Sequence, residues 1–166
     1  TGITATADLT QTEITDPIAA GTDVVVYAVD SEGNETKVGT AVAKPDLIVS
    51  DLYLDNAPVL AGASTHFKMS VSNIGTAVAY PTDDVVATTL SVDGTQVAYT
   101  VGYKDAILPN ATESDYGFQM NWTATAGSHK VTANIDDRNK VDESNESNNT
   151  LTKTFVIDNT TEDSKI

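Results

Sequence analysis

Residues 65–71 read Thr-His-Phe-Lys-Met-Ser-Val and decide the fold class by their alternation. Phe67, Met69 and Val71 fall on one side, while Lys68 and Ser70 fall on the other. Side chains of a β-strand point to opposite faces in turn, so this stretch predicts a strand with one buried and one wet face. No stretch of the chain sustains apolar residues at helical spacing.

Short segments of similar character lie on both sides of this strand. Residues 85–92 and 95–103 are separated by Asp93-Gly94, a pair that suits the positive φ angles of a type I′ hairpin turn. Further strands are predicted at 46–54 and 151–157, where the domain opens and closes. The alternation of Phe118, Met120 and Trp122 predicts another strand, followed after an Ala-Gly-Ser turn by a strand through residues 131–135.

Strands linked by short turns favour an all-β protein, specifically an antiparallel, immunoglobulin-like or fibronectin-III-like β-sandwich over residues 46–157. Residues 158–166 are predicted to be a polar tail. The predicted core contains Leu52, Phe67, Met69, Val71, Leu90, Phe118, Met120, Trp122, Val131 and Ile135.

Residues 1–45 form a separate, N-terminal partial β module in this prediction. A threonine-rich strand pattern leads into residues 22–29 and then into Asp-Ser-Glu-Gly-Asn at 30–34. This segment resembles the last hairpin of a fibronectin-III-like or bacterial immunoglobulin-like repeat whose opening strands are missing. We therefore expect a fragment cut from a longer protein, in which this module packs on its neighbour or pairs with another chain.

Composition excludes several functions. Nine basic against 24 acidic residues give a formal charge of −15, which disfavours nucleic acid and anionic membrane surfaces as partners. The chain has no cysteine, so it has neither disulfides nor thiolate chemistry. No apolar run is long enough to insert into a bilayer. These features fit an extracellular or cell-surface location in a microbial protein.

Four stretches then carry a family resemblance: 45–49 (PDLIV), 71–77 (VSNIGTA), 118–123 (FQMNWT) and 136–149 (DDRNKVDESNESNN). Together they are similar to CARDB, the cell-adhesion-related domain of bacteria and archaea, over about residues 45 to 156. The last stretch is similar to the family's Val-Asp-x-x-Asn-x-Val-x-Glu-x-x-Glu-x-Asn-Asn signature. The resemblance implies a sandwich of about seven strands on surface proteins, often in tandem and often beside carbohydrate-active domains. Arg138 departs from it, since members frequently carry Asp there.

The acidic stretch 136–149 also has a chemistry of its own. Oxygen donors crowded into one loop are the hard ligands that Ca²⁺ prefers. The spacing is not that of an EF-hand, because Arg138 and Val141 stand where that motif needs an acidic ligand and glycine. The alternative is a solvated acidic turn whose side chains hydrogen-bond their own backbone. The predicted calcium ligands are the carboxylates of Asp136, Glu143 and Glu146, the amide oxygens of Asn139 and Asn148, and the Val141 carbonyl.

Other candidate sites are weaker. Trp122 shares a face with Phe118, which favours core burial over a sugar-stacking platform. Tyr99 and Tyr103 are expected to face the core or lie at a sheet margin, whereas an exposed pair would suit sugar stacking. His66 and His129 are interpreted as ordinary strand histidines and not as members of a catalytic triad.

Two functional hypotheses follow. The first is a non-catalytic extracellular module of a cell-surface or secreted multidomain protein that acts as an adhesion or structural spacer domain. Its partners would be neighbouring domains of the same polypeptide and cell-surface polysaccharide or protein. The second is a carbohydrate-binding module accessory to a glycoside hydrolase. An exposed row of aromatic side chains would favour the second hypothesis. No constellation of residues in the sequence supports an enzyme.

Overall fold

The computed structural model describes residues 18–80, 87–101, 106–118 and 121–159, which form strands and turns without a helix. No helix in this described part could cross a membrane. The strands are β1 (Asp23–Val29), β2 (Glu35–Val42), β3 (Leu47–Leu54), β4 (Ser64–Thr65), β5 (Phe67–Asn73), β6 (Ala87–Val92), β7 (Thr95–Val101), β8 (Thr112–Gly117), β9 (Trp122–Thr123), β10 (Gly127–Asn134) and β11 (Thr150–Ile157).

Two antiparallel sheets form the main body of the protein. One has four strands in the order β11-β10-β6-β7, and the other has three in the order β3-β5-β8. β4 and β9 form a small ribbon at the side. The buried residues of the two sheets belong to one hydrophobic cluster, because each sheet turns its apolar face toward the other. This arrangement confirms the predicted antiparallel β-sandwich.

The core agrees with the apolar side of the alternation seen in the sequence, whereas Ser70, on the predicted wet face of β5, is buried too. On β5, Phe67, Met69 and Val71 are buried and face Leu90 of β6 and Val131 of β10 in the same cluster. Of the ten predicted core residues, eight are buried: Leu52, Phe67, Met69, Val71, Leu90, Phe118, Val131 and Ile135. Trp122 is half-buried and packs against this cluster. Met120 lies outside the described residues.

The β6–β7 hairpin has the predicted turn. Asp93 has a φ of 50° and Gly94 a φ of 82°, as a type I′ turn requires. Tyr99 is 54% exposed on β7, an edge strand of its sheet, so of its two predicted positions the sheet margin is found and the core-facing one is not. Leu90 pairs with Ala98 while Ser91 pairs with Gln96, so a bulge shifts the faces of β7 by one residue. Tyr103 lies outside the described residues.

The predicted strand through Phe118, Met120 and Trp122 is not found as one element in the described residues, because Phe118 and Asn121 lie outside the strands. β8 ends at Gly117, and the buried side chain of Phe118 follows it. Trp122 belongs instead to β9, where it pairs with Thr65 of β4. The polar sequence of β8, Thr-Glu-Ser-Asp-Tyr-Gly, lacks an apolar face, and for that reason hydrophobic alternation did not indicate it.

The N-terminal module contributes a two-stranded hairpin, β1–β2, to the described structure. Large apolar side chains of this hairpin are exposed, among them Tyr27, Val29 and Val38. The hairpin joins the sandwich at residues 43–46, where Gly75 packs directly on the backbone. A Cβ atom at Gly75 would lie 2.5 Å from Asp46 N and from Lys44 O. Residues 1–17, which belong to the predicted module, lie outside the described residues.

Candidate metal centre

The candidate metal centre lies in the loop of residues 135–149 between β10 and β11, which we call the acidic loop. Asp136 organises its first half. The Asp136 Oδ1 atom accepts a hydrogen bond from Lys140 N and its Oδ2 atom accepts one from Val141 N, each at 2.8 Å. Asp136 and Asn139 both have a φ of 51°, in the left-handed region that Asn and Asp tolerate better than most residues. The chain therefore turns back on itself around the Asp136 carboxylate.

Glu143 organises the second half. Glu143 N donates to Glu146 Oε1 at 2.8 Å, which closes a turn between the two acids. The Glu143 carboxylate accepts hydrogen bonds from Asn149 Nδ2 at 2.7 Å and from Leu47 N at the start of β3. Ile135 N donates to Asn149 O at 2.9 Å, so the two ends of the loop are joined.

These turns bring three carboxylates together. One oxygen from each of Asp136, Glu143 and Glu146 lies within 4.8 Å of the other two. Two ligands of one Ca²⁺ ion, each about 2.4 Å from it, are at most about 5 Å apart. The spacing of the three oxygen atoms therefore fits ligands of a single ion. Asp136 and Glu143 are 5% and 4% exposed, whereas Glu146 is exposed.

Burial makes this cluster electrostatically unfavourable without a counter-charge. It raises the pKa of Glu143 to about 7, against the opposing effect of the hydrogen bond from Leu47 N. Burial also raises the pKa of Asp136, although the backbone donors Lys140 N and Val141 N lower it. The nearby Glu146 carboxylate adds a smaller repulsive contribution to both. A cation held between these groups would favour their ionised forms.

An open cleft of about 220 Å³ lies beside two of the three carboxylates, those of Asp136 and Glu146. It is lined by Asn134, Asp136, Asp137, Asn139, Glu146, Ser147, Asn149 and Thr150. Asn149 is 7% exposed, and its Oδ1 atom has no hydrogen-bond partner in the described structure. A buried carbonyl-type oxygen without a donor is uncommon and costs free energy.

The structure brings together only some of the six residues predicted as ligands. Asp136, Glu143 and Glu146 converge, and Asn139 lines the cleft beside them. The Val141 side chain packs in the hydrophobic core, and its N–H group supports Asp136. Asn148 is not among the residues that line the cleft, and its Nδ2 atom donates to Asp46 Oδ1 at 2.8 Å.

Asn149 was missed as a candidate ligand. It stands beside Asn148 in the Asn-Asn pair at the end of the acidic stretch. The sequence does not indicate which of the two lines the cleft. That choice depends on the backbone hydrogen bond between Ile135 N and Asn149 O, which fixes the direction of the chain at β11.

The acidic loop also contacts residues 44–47, which lead into β3. Ser144 N donates to Pro45 O at 2.8 Å, and Ser144 Oγ donates to Asp46 Oδ2 at 3.1 Å. Lys44 Nζ lies 2.5 Å from Asp142 Oδ1. These contacts, together with the bond from Leu47 N to Glu143, join residues 44–47 to the loop. Hydrophobic patterning does not indicate them, because they connect polar groups that are far apart in the chain.

The alternative sites lose support in the described structure. Trp122 packs on Phe67, with ring centroids 5.6 Å apart, so its indole is not an open platform for a sugar. Among the described residues, the exposed tyrosines do not follow one strand, because Tyr27 is on β1, Tyr99 is on β7 and Tyr80 lies between β5 and β6.

The two histidines do not indicate a catalytic triad either. His66 Nε2 contacts Asp55, and His129 contacts Asp93 and Thr125. No serine hydroxyl is among these contacts in the described part of the chain, as a triad would require.

Comparisons with known proteins agree with this fold. The CARDB family model matches residues 44–153, which is more than half of the 166-residue chain. The chain therefore belongs to the CARDB family, whose members are non-catalytic modules. A comparison with curated proteins found no match.

Two solved structures are similar. One is a domain of a candidate cell surface protein from Methanosarcina acetivorans, with 27% identity and a TM-score of 0.53, covering 69% of this chain and 92% of that one. The other is a CARDB domain from Pyrococcus furiosus solved in complex with di-metal ions, with 23% identity and a TM-score of 0.51. It covers 71% of this chain and 97% of that one. The family resemblance read from the sequence is thus confirmed, whereas the resemblance of residues 1–45 to another repeat stays a prediction.

Proposed function

We propose that this chain is an extracellular adhesion or structural spacer module of a cell-surface or secreted multidomain protein, stabilised by Ca²⁺ bound in the acidic loop. The observation that carries the proposal is the position of that loop, which contacts both the end of the sandwich and residues 44–47 that precede β3. A metal bound there would stiffen residues 44–47, which connect the β1–β2 hairpin to the sandwich. This role requires no chemistry on a substrate.

The ligand set consists of oxygen atoms, which points to a hard cation. Asp136, Glu143 and Glu146 supply carboxylates, and Asn139 lies at the cleft wall. The unpartnered Asn149 Oδ1 is an independent reason to place a cation here, because a bound ion would satisfy that buried atom. Asn148 Oδ1 is also buried without a partner in the described structure, so the predicted role of Asn148 stays a prediction together with that of the Val141 carbonyl.

Calcium suits this site better than magnesium. Ca²⁺ accepts six to eight oxygen ligands in flexible geometry, whereas Mg²⁺ demands a near-ideal octahedron. The Pyrococcus furiosus domain that shares the fold was solved with di-metal ions, and that observation concerns that protein. In this chain the exposed Arg138 adds a positive charge within the loop, which supports weak binding in the millimolar range of extracellular modules.

The role of the ion would be structural. Glu143 is the link, since the carboxylate that would hold the cation also accepts the Leu47 N–H group of β3. A cation that neutralised the carboxylate cluster would stabilise a loop that is already hydrogen-bonded to Pro45 and Asp46. The module would then hold neighbouring domains of the same polypeptide at a fixed spacing, with cell-surface polysaccharide or protein as the predicted contact.

Thermal unfolding of the whole chain tests the metal site. At a calcium concentration ten times the Kd, mass action adds about 1.4 kcal/mol, equivalent to a rise in Tm of about 3–6 °C for a chain of this size. Glu146→Gln should abolish the rise, since it removes an exposed ligand charge while keeping an oxygen for Glu143 N. Glu113→Gln is the matched control, because Glu113 is exposed on β8. Equal Tm values for the wild type in millimolar calcium and in excess chelator would contradict the proposal.

A further inference from the structure

His129 lies near the start of β10, at the opposite end of that strand from the acidic loop. Its side chain is buried at 9% residue exposure and stands edge-on to Trp122, with centroids 5.1 Å apart and planes at 74°. The strand between His129 and Asp136 corresponds to about 20 Å. The protonation of His129 is therefore independent of the candidate metal centre.

Both ring nitrogens of His129 meet hydrogen-bond acceptors. Nδ1 lies 2.8 Å from Asp93 Oδ2, and Nε2 lies 2.8 Å from the Thr125 carbonyl oxygen. Neither a carboxylate nor a backbone carbonyl can donate, and a neutral imidazole carries one N–H group only. With a neutral ring, one of the two nitrogens would therefore carry no proton, and its lone pair would face the lone pair of an acceptor oxygen. Thr125 Oγ1, at 3.2 Å from Nε2, could donate, but the closer carbonyl would remain unpaired.

Asp93 is fixed in the direction of the ring. It occupies the first position of the type I′ turn, and its backbone N–H donates to Lys130 O at 2.8 Å. Its Oδ1 atom accepts from Lys130 N at 2.8 Å, which leaves Oδ2 for His129. The carboxylate thus joins the β6–β7 turn to β10 through two adjacent residues.

The other elements around His129 supply no second charge in the described structure. Trp122 of β9 and the loop residue Thr125 contact the ring, and Phe155 is its cross-strand neighbour on β11. Lys130 is exposed and follows His129 in the strand, so its side chain points to the other face. The hydrogen bond to Asp93 raises the pKa of His129 above 6.5, although burial opposes it, and the hydrogen bond to His129 lowers the pKa of Asp93.

We propose that His129 is held as an imidazolium in the folded protein and acts as a pH-sensitive lock between the β6–β7 turn and the loop that precedes β10. The folded state then binds a proton that the unfolded chain releases above about pH 6.5. The stabilisation is complete below that pH and is lost as the pH rises through the higher folded value. Deprotonation loosens the contacts of Asp93 and Thr125 with the ring at this end of the sandwich.

Asp93→Asn tests the lock with little disturbance of the fold. Asn-Gly is the favoured pair for a type I′ turn, so the turn itself is retained. The oxygen of the introduced asparagine can still accept from Lys130 N, while its amide donates to Nδ1 of a neutral ring that carries its proton on Nε2. The variant thus satisfies every contact without the imidazolium, and only the protonation state of His129 should change.

The measurement is a ¹⁵N NMR titration of the imidazole rings in the full chain at saturating calcium. The chain has two histidines, and His66→Gln assigns the signals by removing one set. We expect the His129 midpoint above pH 6.5 in the wild type and below 6.5 in Asp93→Asn. The Tm of the wild type should fall relative to that of Asp93→Asn between about pH 6 and 9. A wild-type midpoint at or below the ordinary histidine value, or the same midpoint in both proteins, would overturn the proposal.

Discussion

Replacing Glu143 with glutamine should remove the pH dependence that this buried carboxylate imposes on stability. Glu143 is 4% exposed, and burial raises its pKa from 4.5 to about 7. In the absence of a divalent cation, the folded state keeps a proton that the unfolded state releases between those two values. The contribution of Glu143 to wild-type stability therefore falls as the pH rises from 4.5 to about 7 and is constant above it.

The size of the effect follows from the same two values. A difference of about 2.5 pKa units, at about 1.4 kcal/mol per unit, gives roughly 3 kcal/mol as the cost of ionising Glu143 in the cation-free protein. Glu143→Gln does not ionise, so its stability relative to the wild type should rise by up to that amount between about pH 5 and pH 8. A turn of the Asn149 amide would let its free Oδ1 accept from the amide of the introduced glutamine.

Urea unfolding at about pH 5 and pH 8, in metal-free buffer and in millimolar calcium, measures the effect. Without calcium, the free energy of unfolding of the variant should rise relative to that of the wild type at the higher pH. Added calcium should cancel this difference, because only the wild type retains the buried charge that a cation would stabilise. Glu113→Gln should show neither change, because Glu113 is exposed. If the difference between Glu143→Gln and the wild type were the same at both pH values, the assignment of a buried, charge-destabilised Glu143 would be wrong.

Three further predictions concern the fold. Trp122→Ala should destabilise the protein by about 3 kcal/mol in urea unfolding, because the indole packs on the core, and a loss below about 1 kcal/mol would reopen the sugar-platform hypothesis. Gly75→Ala should cost more than about 2 kcal/mol, since its new methyl would meet backbone 2.5 Å away, whereas Gly39→Ala, with nothing within 4 Å, should change stability by less than about 1 kcal/mol. A chain beginning at Lys44 should unfold cooperatively by circular dichroism, while residues 1–45 alone should not, because an isolated hairpin is at best marginally stable; cooperative unfolding of the isolated segment would refute this.

The sequence predicted the sandwich well because local patterns determine most of it. In β5 the side-chain period of two separates Phe67 and Met69 from Lys68 without any knowledge of neighbouring strands. The Asp93-Gly94 turn was equally local, since both residues tolerate the positive φ that the hairpin needs. The sequence left both positions of Tyr99 open, because the bulge in β7 that exposes it is a property of the pairing with β6.

The sequence indicated which carboxylates belong to the candidate site, but only part of the arrangement of the site in space. The three carboxylates of the acidic loop were named from their crowding, and the structure brings them together. Asn149 and the contacts of Asp46 depend on the approach of distant strands, so spacing along the chain could not indicate them. Asn73 shows the same limit: its buried amide donates to Ala77 O and to Ile107 O, and only the folded chain reveals these partners.

The most direct test of a calcium-stabilised module is an amide NMR titration of the full chain with calcium chloride, corrected for ionic strength with sodium chloride. We expect saturable shifts that are confined to residues 134–150 and to residues 44–47, with a Kd in the millimolar range. The same titration of Glu146→Gln should show them greatly weakened. Shifts no larger than those produced by sodium chloride, or shifts that leave the acidic loop unchanged, would contradict a cation site at Asp136, Glu143 and Glu146.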